Sequence, residues 1–192
     1  MAEKKRSILT SATLIAAVML LSKLLGFARQ VVIASAFGSG GETDLYFVSS
    51  DFMISLSGAL LSALSTALIA RYIEIAVKDS RRAANAVASQ MLSLFLLIGA
   101  ACILLIDVFA PQIGRVLAPA VSGENAAQLV HYLRFFSITF IFTAFQSIYA
   151  SVLNANDRVV PGKLYGIVYN PIAIGCVLVL SGRYGIRVLL WA

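Results

Sequence analysis

A window of about 19 residues moved along the chain finds five long apolar segments separated by short polar connections. They are predicted as membrane-spanning helices over residues 8–37, 45–70, 83–110, 128–154 and 162–181. The first is longer than one crossing needs, so a bend or a tilt is expected, and Gly26 is the place where a helix would give way. Glycine and proline punctuate the connections "GSGGET" (38–43), "PQIGRVLAPAVSGEN" (111–125) and "NANDRVVPGK" (154–163). The remaining one, "RYIEIAVKDSRR" (71–82), reads instead as a charged, amphipathic extension of its helices. After the fifth segment, "GRYGIRVLLWA" offers a turn and the first residues of a sixth span from about 185, too few to cross about 30 Å of hydrocarbon. On this reading the chain is an N-terminal fragment.

Polar residues inside the spans change the picture. With Ser22 set at zero and about 100° per residue, Gly26, Arg29, Gln30 and Lys23 share with it an arc about 120° wide. The opposite side is Leu, Phe, Val and Ile. A cation in the hydrocarbon core costs about 2.5–3.5 kcal/mol on insertion scales, so Lys23 and Arg29 are expected to face protein or water and to pair. Two readings stand side by side: an internal ion-pair network with Asp44 or Asp51, and contact with an anionic substrate. In the second span Asp44, Asp51, Ser55, Gly58, Ser62, Ser65 and Thr66 fall within an arc of about 100°. That acidic stripe offers the pairing which buried charges require. The fourth span puts Thr139, Thr143, Ser147, Ser151 and Asn154 on one side, with Gln146 at its edge. For these two stripes of small and hydroxyl residues, close helix packing is the plainer reading. Asn170-Pro171 interrupts the fifth span and reads as a kink. Asp107, His131 and Arg134 lie near span ends and are expected at the interface, where Arg134 can snorkel.

Composition agrees with the pattern. The chain is 60% hydrophobic and 12% charged with a mean hydropathy of +0.90, far from a soluble domain. It is predicted to be an all-α integral membrane protein. The net charge of +6 is read as topology and contact with anionic lipid, not as nucleic-acid binding, because no basic and aromatic surface stands apart from the spans. With the N-terminus inside, nine Lys and Arg residues fall on the inner side (4, 5, 6, 71, 78, 81, 82, 158, 163) against Arg115, Arg183 and Arg187 outside, so a cytoplasmic N-terminus is expected. "MAEKKR" opens an uncleaved first helix and not a signal peptide, since no early small-residue cleavage pattern follows. Cys102 and Cys176 lie in apolar runs with no disulfide or metal partner in view. No phosphate-binding GxxxxGK[ST], HExxH, CxxC pair or GxSxG is present, and with one histidine and nine acids no catalytic constellation, metal site or cofactor is predicted.

Four motifs, in order and spacing, resemble a known family. "SKLLGFARQVVIASAFGSGGETDLYFV" (22–48) resembles the opening of the lipid II flippase (MurJ/MviN) family, where S-R-x-L-G-F-x-R-D is followed by F-G and T-D-A-F-F-V. "ALSTALIARYIE" (63–74) is similar to its A-L-S-T-A-F-I-P stretch, "VLAPAVSGENAAQLVHYLRFF" (116–136) to its L-A-P-G-F turn and fourth helix, and "ASVLNANDRVVPGKLYGIVYNPIAI" (150–174) to its fifth-helix segment. The resemblance implies a MATE-like fold of about 14 helices in two lobes around a central cavity, of which this chain would supply part of the N-terminal lobe. It implies a bacterial plasma-membrane transporter of lipid-linked peptidoglycan precursor, not an enzyme. Its partners would be membrane lipids, an undecaprenyl-pyrophosphate-linked substrate, the C-terminal lobe and other cell-wall synthesis proteins. Family arginines of the first helix that meet the pyrophosphate match Lys23 and Arg29, and the family's first-loop aspartate matches Asp44; Ser22, Gly26, Gln30 and Asp51 are candidate cavity or gating residues beside them. The chain departs from the pattern at Lys23, which lacks the guanidinium fork, at Gln30 in place of an acid, at Ser57-Gly58 where the family's second-helix arginine is missing, and at Ala70 in place of proline. Export of another lipid-linked polysaccharide, drug or cation antiport within the superfamily, and a non-transporting membrane scaffold are the alternatives.

Overall fold

A computed structural model describes residues 2–38, 40–158, 160–161 and 164–184. The predicted start of a sixth span, and Lys163 and Arg187 of the charge count, lie outside the described residues. The described residues give six bounded helices: α1 (Ala2–Phe37), α2 (Gly41–Lys78), α3 (Arg81–Leu117), α4 (Glu124–Ser137), α5 (Thr139–Ala155) and α6 (Tyr165–Tyr184). With α4 and α5 taken as one bent span, five segments are long and apolar enough to cross a membrane: Thr13–Phe37, Gly41–Lys78, Arg81–Leu117, Glu124–Ala155 and Tyr165–Gly182. The chain divides into two compact units, one made of Met1–Ser39 with Asp157–Ala192, the other of Gly40–Asn156.

The second unit is a three-span bundle of α2, α3 and the α4–α5 pair. Its centre is Leu61 and Leu68 of α2, Phe95 of α3, and Ala144 and Ile148 of α5. The spacing of seven on α2 and four on α5 turns one helical side inward, and small Ala144 makes room for Phe95. Gly99, one turn on from Phe95, is buried, and a Cβ there would lie 3.5 Å from the Phe140 carbonyl oxygen. The α3 and α5 backbones therefore approach closely at this level.

At one end of the bundle α2 and α3 run past the predicted spans, as the amphipathic "RYIEIAVKDSRR" led us to expect. Tyr72 and Ile75 turn inward onto Ala84 and Ala88, while Glu74 on the outer side pairs with Arg71 at 2.7 Å and Lys78 at 2.9 Å. The turn is made at Asp79-Ser80, and the Ser80 hydroxyl caps α3 by accepting from the Ala83 amide at 3.2 Å. The Tyr72 hydroxyl donates to Asn85 Oδ1 at 2.7 Å and accepts from Asn156 Nδ2 at 3.3 Å, tying the ends of α2, α3 and α5 together.

Two departures from the predicted spans have physical causes. Pro111 does not end α3, which continues to Leu117. Proline has no N–H for the carbonyl four residues back, that of Asp107. Arg134 Nε donates to this oxygen at 3.2 Å, so the helix carries its proline without an orphaned acceptor. The fourth span is not one helix but two, broken at Ile138. On either side of the break, the Ser137 hydroxyl donates to the Arg134 carbonyl at 2.6 Å and the Thr139 hydroxyl to the Phe136 carbonyl at 2.7 Å. Successive hydroxyls that compete for backbone carbonyls bend a helix. Asp107 is half-buried at this level, with its Oδ1 3.5 Å from the Ser137 hydroxyl.

The close approach at Gly99 makes a graded prediction. Gly99→Ala, which adds only an ordinary van der Waals contact, is expected to leave the thermal midpoint in detergent nearly unchanged. Gly99→Leu forces α3 from α5 and is expected to cost about 1–3 kcal/mol; equal midpoints for the two variants would contradict the close contact.

Candidate functional site

The first unit pairs α1 with α6, and the candidate cations lie on this pair. α1 remains helical through Gly26, where the sequence led us to expect a bend or a tilt. Gly26 is a place of close approach, since a Cβ there would sit 3.8 Å from both terminal atoms of the Asn170 side chain. Asn170 Nδ2 donates to the Gly166 carbonyl at 2.6 Å and toward the Ser22 carbonyl at 3.4 Å. Gly166 is required in turn, because a Cβ at that position would fall on Ser22 Oγ. Ser22 and Gly26 on α1 thus meet Gly166 and Asn170 on α6, small residue against small residue. α6 runs through Pro171 as one helix, so the Asn170-Pro171 pair does not interrupt the span.

Arg29, two turns beyond Ser22, is half-buried and directed at α6. Its Nη1 donates to the Tyr169 hydroxyl at 2.9 Å, and its guanidinium carbon stands 5.1 Å from the centroid of the same ring. Tyr165, one turn earlier, stacks on Tyr169 with centroids 5.5 Å apart and planes 9° from parallel. Hydroxyl, ring quadrupole and planar stack together hold the cation in a fixed direction. One donor remains unused: Arg29 Nε is buried and has no hydrogen-bond partner among the described residues.

Lys23 and Gln30 lie farther round α1 and are exposed. The structure therefore divides the predicted stripe into two halves. Ser22, Gly26 and Arg29, within about 60° of one another, address α6; Lys23 and Gln30, at about 80–100°, remain open beside them.

Asp44 and Asp51 belong to the second unit. Asp44 stands in the first turn of α2, where a carboxylate complements the helix dipole, and its amide donates to the Gly40 carbonyl at 3.1 Å. Asp44, Asp51, Ser55, Gly58, Ser62 and Thr66 are all exposed, and a Cβ at Gly58 would meet nothing within 4 Å. Packing within this unit uses the other side of α2, through Tyr46, Ser50, Met53, Ser57 and Leu61. The small-residue stripe of α2 is thus not how the helix contacts α3, α4 or α5. On α5 the hydroxyl stripe is half-buried or buried, and Ser151 donates to its own helix at the Ser147 carbonyl.

Tyr165, Tyr169 and Asn170 as partners of α1 were not read from the sequence. The available signal was the i, i+4 spacing of two tyrosines followed directly by an asparagine, on a span otherwise apolar.

Five segments long and apolar enough to cross a membrane, among the described residues, define a multi-pass α-helical membrane protein. The family model for the lipid II flippase MurJ matches residues 33–192, and this chain belongs to that family. The matched segment includes Asp44 and Asp51 and begins just after Lys23 and Arg29. Neither the curated proteins nor the solved structures gave a match.

The two parts of the Arg29–Tyr169 contact are separable. Tyr169→Phe keeps the ring but strands the Nη1 donor, at an expected cost of about 1–2 kcal/mol in the thermal unfolding of the detergent-solubilised protein. Tyr169→Leu removes ring and hydroxyl and is expected to cost more; wild-type stability in both variants would mean that the tyrosine does not hold the arginine.

Proposed function

We propose that this protein takes part in moving a lipid-linked cell-wall precursor, an undecaprenyl pyrophosphate bearing a sugar-peptide head, between the leaflets of the bacterial plasma membrane. Family membership sets the substrate class, and Arg29 is the observation that ties it to residues. A diphosphate that leaves water needs charge-assisted donors in place of its hydration shell. Arg29 offers a buried Nε with no acceptor, on a guanidinium whose direction is already set by Tyr169. Lys23, about 9 Å away along the helix axis at 1.5 Å per residue, supplies a second, flexible cation.

The remaining site residues take different parts in this reading. Ser22 and Gly26 position Arg29 by fixing how α1 lies on α6, and Gln30 adds a polar group beside Lys23. Asp44 and Asp51, with the serines that follow, give α2 a side suited to water and not to lipid. In this reading the chain contributes part of the N-terminal lobe of a two-lobed transporter in which one lobe rocks against the other. The excess of Lys and Arg at the α2–α3 turn supports a cytoplasmic side for that turn and for the N-terminus.

Complementation tests the reading directly. The two-lobed transporter that carries this segment, produced in bacteria depleted of their own lipid II flippase, is expected to restore growth. Arg29→Ala, at equal membrane abundance, is expected to abolish the rescue and Arg29→Lys to retain part of it; full rescue by Arg29→Ala would overturn the role given to this residue.

The polar side of α2 is open to a separate check. Single cysteines at Ser55 and Ser62 are expected to react with a membrane-impermeant maleimide, and a cysteine at the apolar, exposed Leu60 to be protected. The reverse order would place the serine side in lipid.

A further inference from the structure

Within the second unit, a groove of about 390 Å³ opens between the last turns of α3 and the first turns of α4. Pro111 and Gly114 form its floor on α3, Leu129 and Val130 its wall on α4, and Arg115 and Arg134 are its two charged residues. Gly114 keeps the groove narrow, because Leu129 and Val130 lie 3.5 and 3.6 Å from where its Cβ would be.

The two arginines differ in how they are held. Arg115, in the last turn of α3, is exposed and makes no hydrogen bond within its unit. Arg134 is anchored through Nε to the Asp107 carbonyl that Pro111 leaves free, so its two Nη groups remain available in a set direction. Asp107 lies eight residues before Arg115, so the anchored arginine head sits about 12 Å farther along α3 from the helix end. The groove thus has two exposed arginines, set about 12 Å apart along α3, beside an apolar lining. A free inorganic anion would satisfy one of them. An amphiphile that enters head outward would meet both, its anionic phosphate at Arg115, its ester oxygens at Arg134, and the top of an acyl chain against Leu129 and Val130.

We propose that this groove is a binding site for an anionic glycerophospholipid at the membrane interface, separate from the residues assigned above to the transported substrate. The charge on the phosphate decides between lipids of equal chain length, because a zwitterionic head brings its own cation against Arg115.

The test uses the complete chain in a mild detergent, titrated with phosphatidylglycerol or with phosphatidylcholine of the same chains, and bound lipid counted by native mass spectrometry. Phosphatidylglycerol is expected to bind about 25-fold more tightly, with about fivefold of this lost in Arg115→Gln and nearly all of it in the Arg115→Gln/Arg134→Gln pair. Arg115 has no partner to lose, so its variant reads the site without a folding defect. Removing equal charge at the opposite end of α3, in Arg81→Gln/Arg82→Gln, is expected to leave the preference intact. Equal binding of the two lipids, an unchanged preference in Arg115→Gln, or an equal loss in the α3 N-terminal pair would overturn the proposal. Displacement of phosphatidylglycerol by millimolar inorganic phosphate would also overturn it, because the site would then recognise the anion alone.

Discussion

Inside hydrocarbon no water is at hand to satisfy a backbone group, so each carbonyl or amide released from a helix must find its partner within the protein. The irregular places of this chain are organised by that demand. Pro111 frees the Asp107 carbonyl, and the answer comes from another helix in the form of Arg134. Ser137 and Thr139 draw two carbonyls aside, and the span breaks between them at Ile138. Asn170, next to a proline, spends its amide on the carbonyls of Gly166 and Ser22. At Pro111 a side chain does what a regular helix would have done for itself, and Arg134 and Asn170 each join one helix to another.

The same economy of partners explains what was legible in the sequence. Helical class and five spans followed from apolar runs alone, because in lipid the backbone has so few alternatives. The extension of α2 beyond the membrane segment was also legible, since Tyr72 and Ile75 alternate with Arg71, Glu74 and Lys78 at helical spacing. Where the reading stopped short, the cause was a long-range partner. Proline at 111 reads as a helix end until Arg134 is known to lie beside Asp107, and nothing in the sequence assigns Asn170 a partner on the first helix until Ser22 is known to lie beside it.

The candidate site shows the limit more sharply. Angular counting put Ser22, Lys23, Gly26, Arg29 and Gln30 on one side of α1, but a single helix cannot say which part of an arc a neighbour will cover. α6 covers about half of it, taking Ser22, Gly26 and Arg29 and leaving Lys23 and Gln30 open. On α2 the neighbours chose the side opposite to the serines and aspartates. Small residues thus serve close packing on α1 and α6 and remain uncovered on α2, a distinction that composition does not carry. Tyr169 gives Arg29 a direction that no periodicity could assign, since it depends on a residue 140 positions away.

The break at Ile138 gives the fourth span two mechanical halves. α4 takes its direction from α3 through Asp107 and the groove beside Pro111, whereas α5 takes its direction from the packed centre at Phe95, Ala144 and Ile148. A continuous helix would transmit a tilt at one end to the other as a rigid rod. Here the helical ladder is interrupted at Ile138, so each half of the span is seated by its own neighbours.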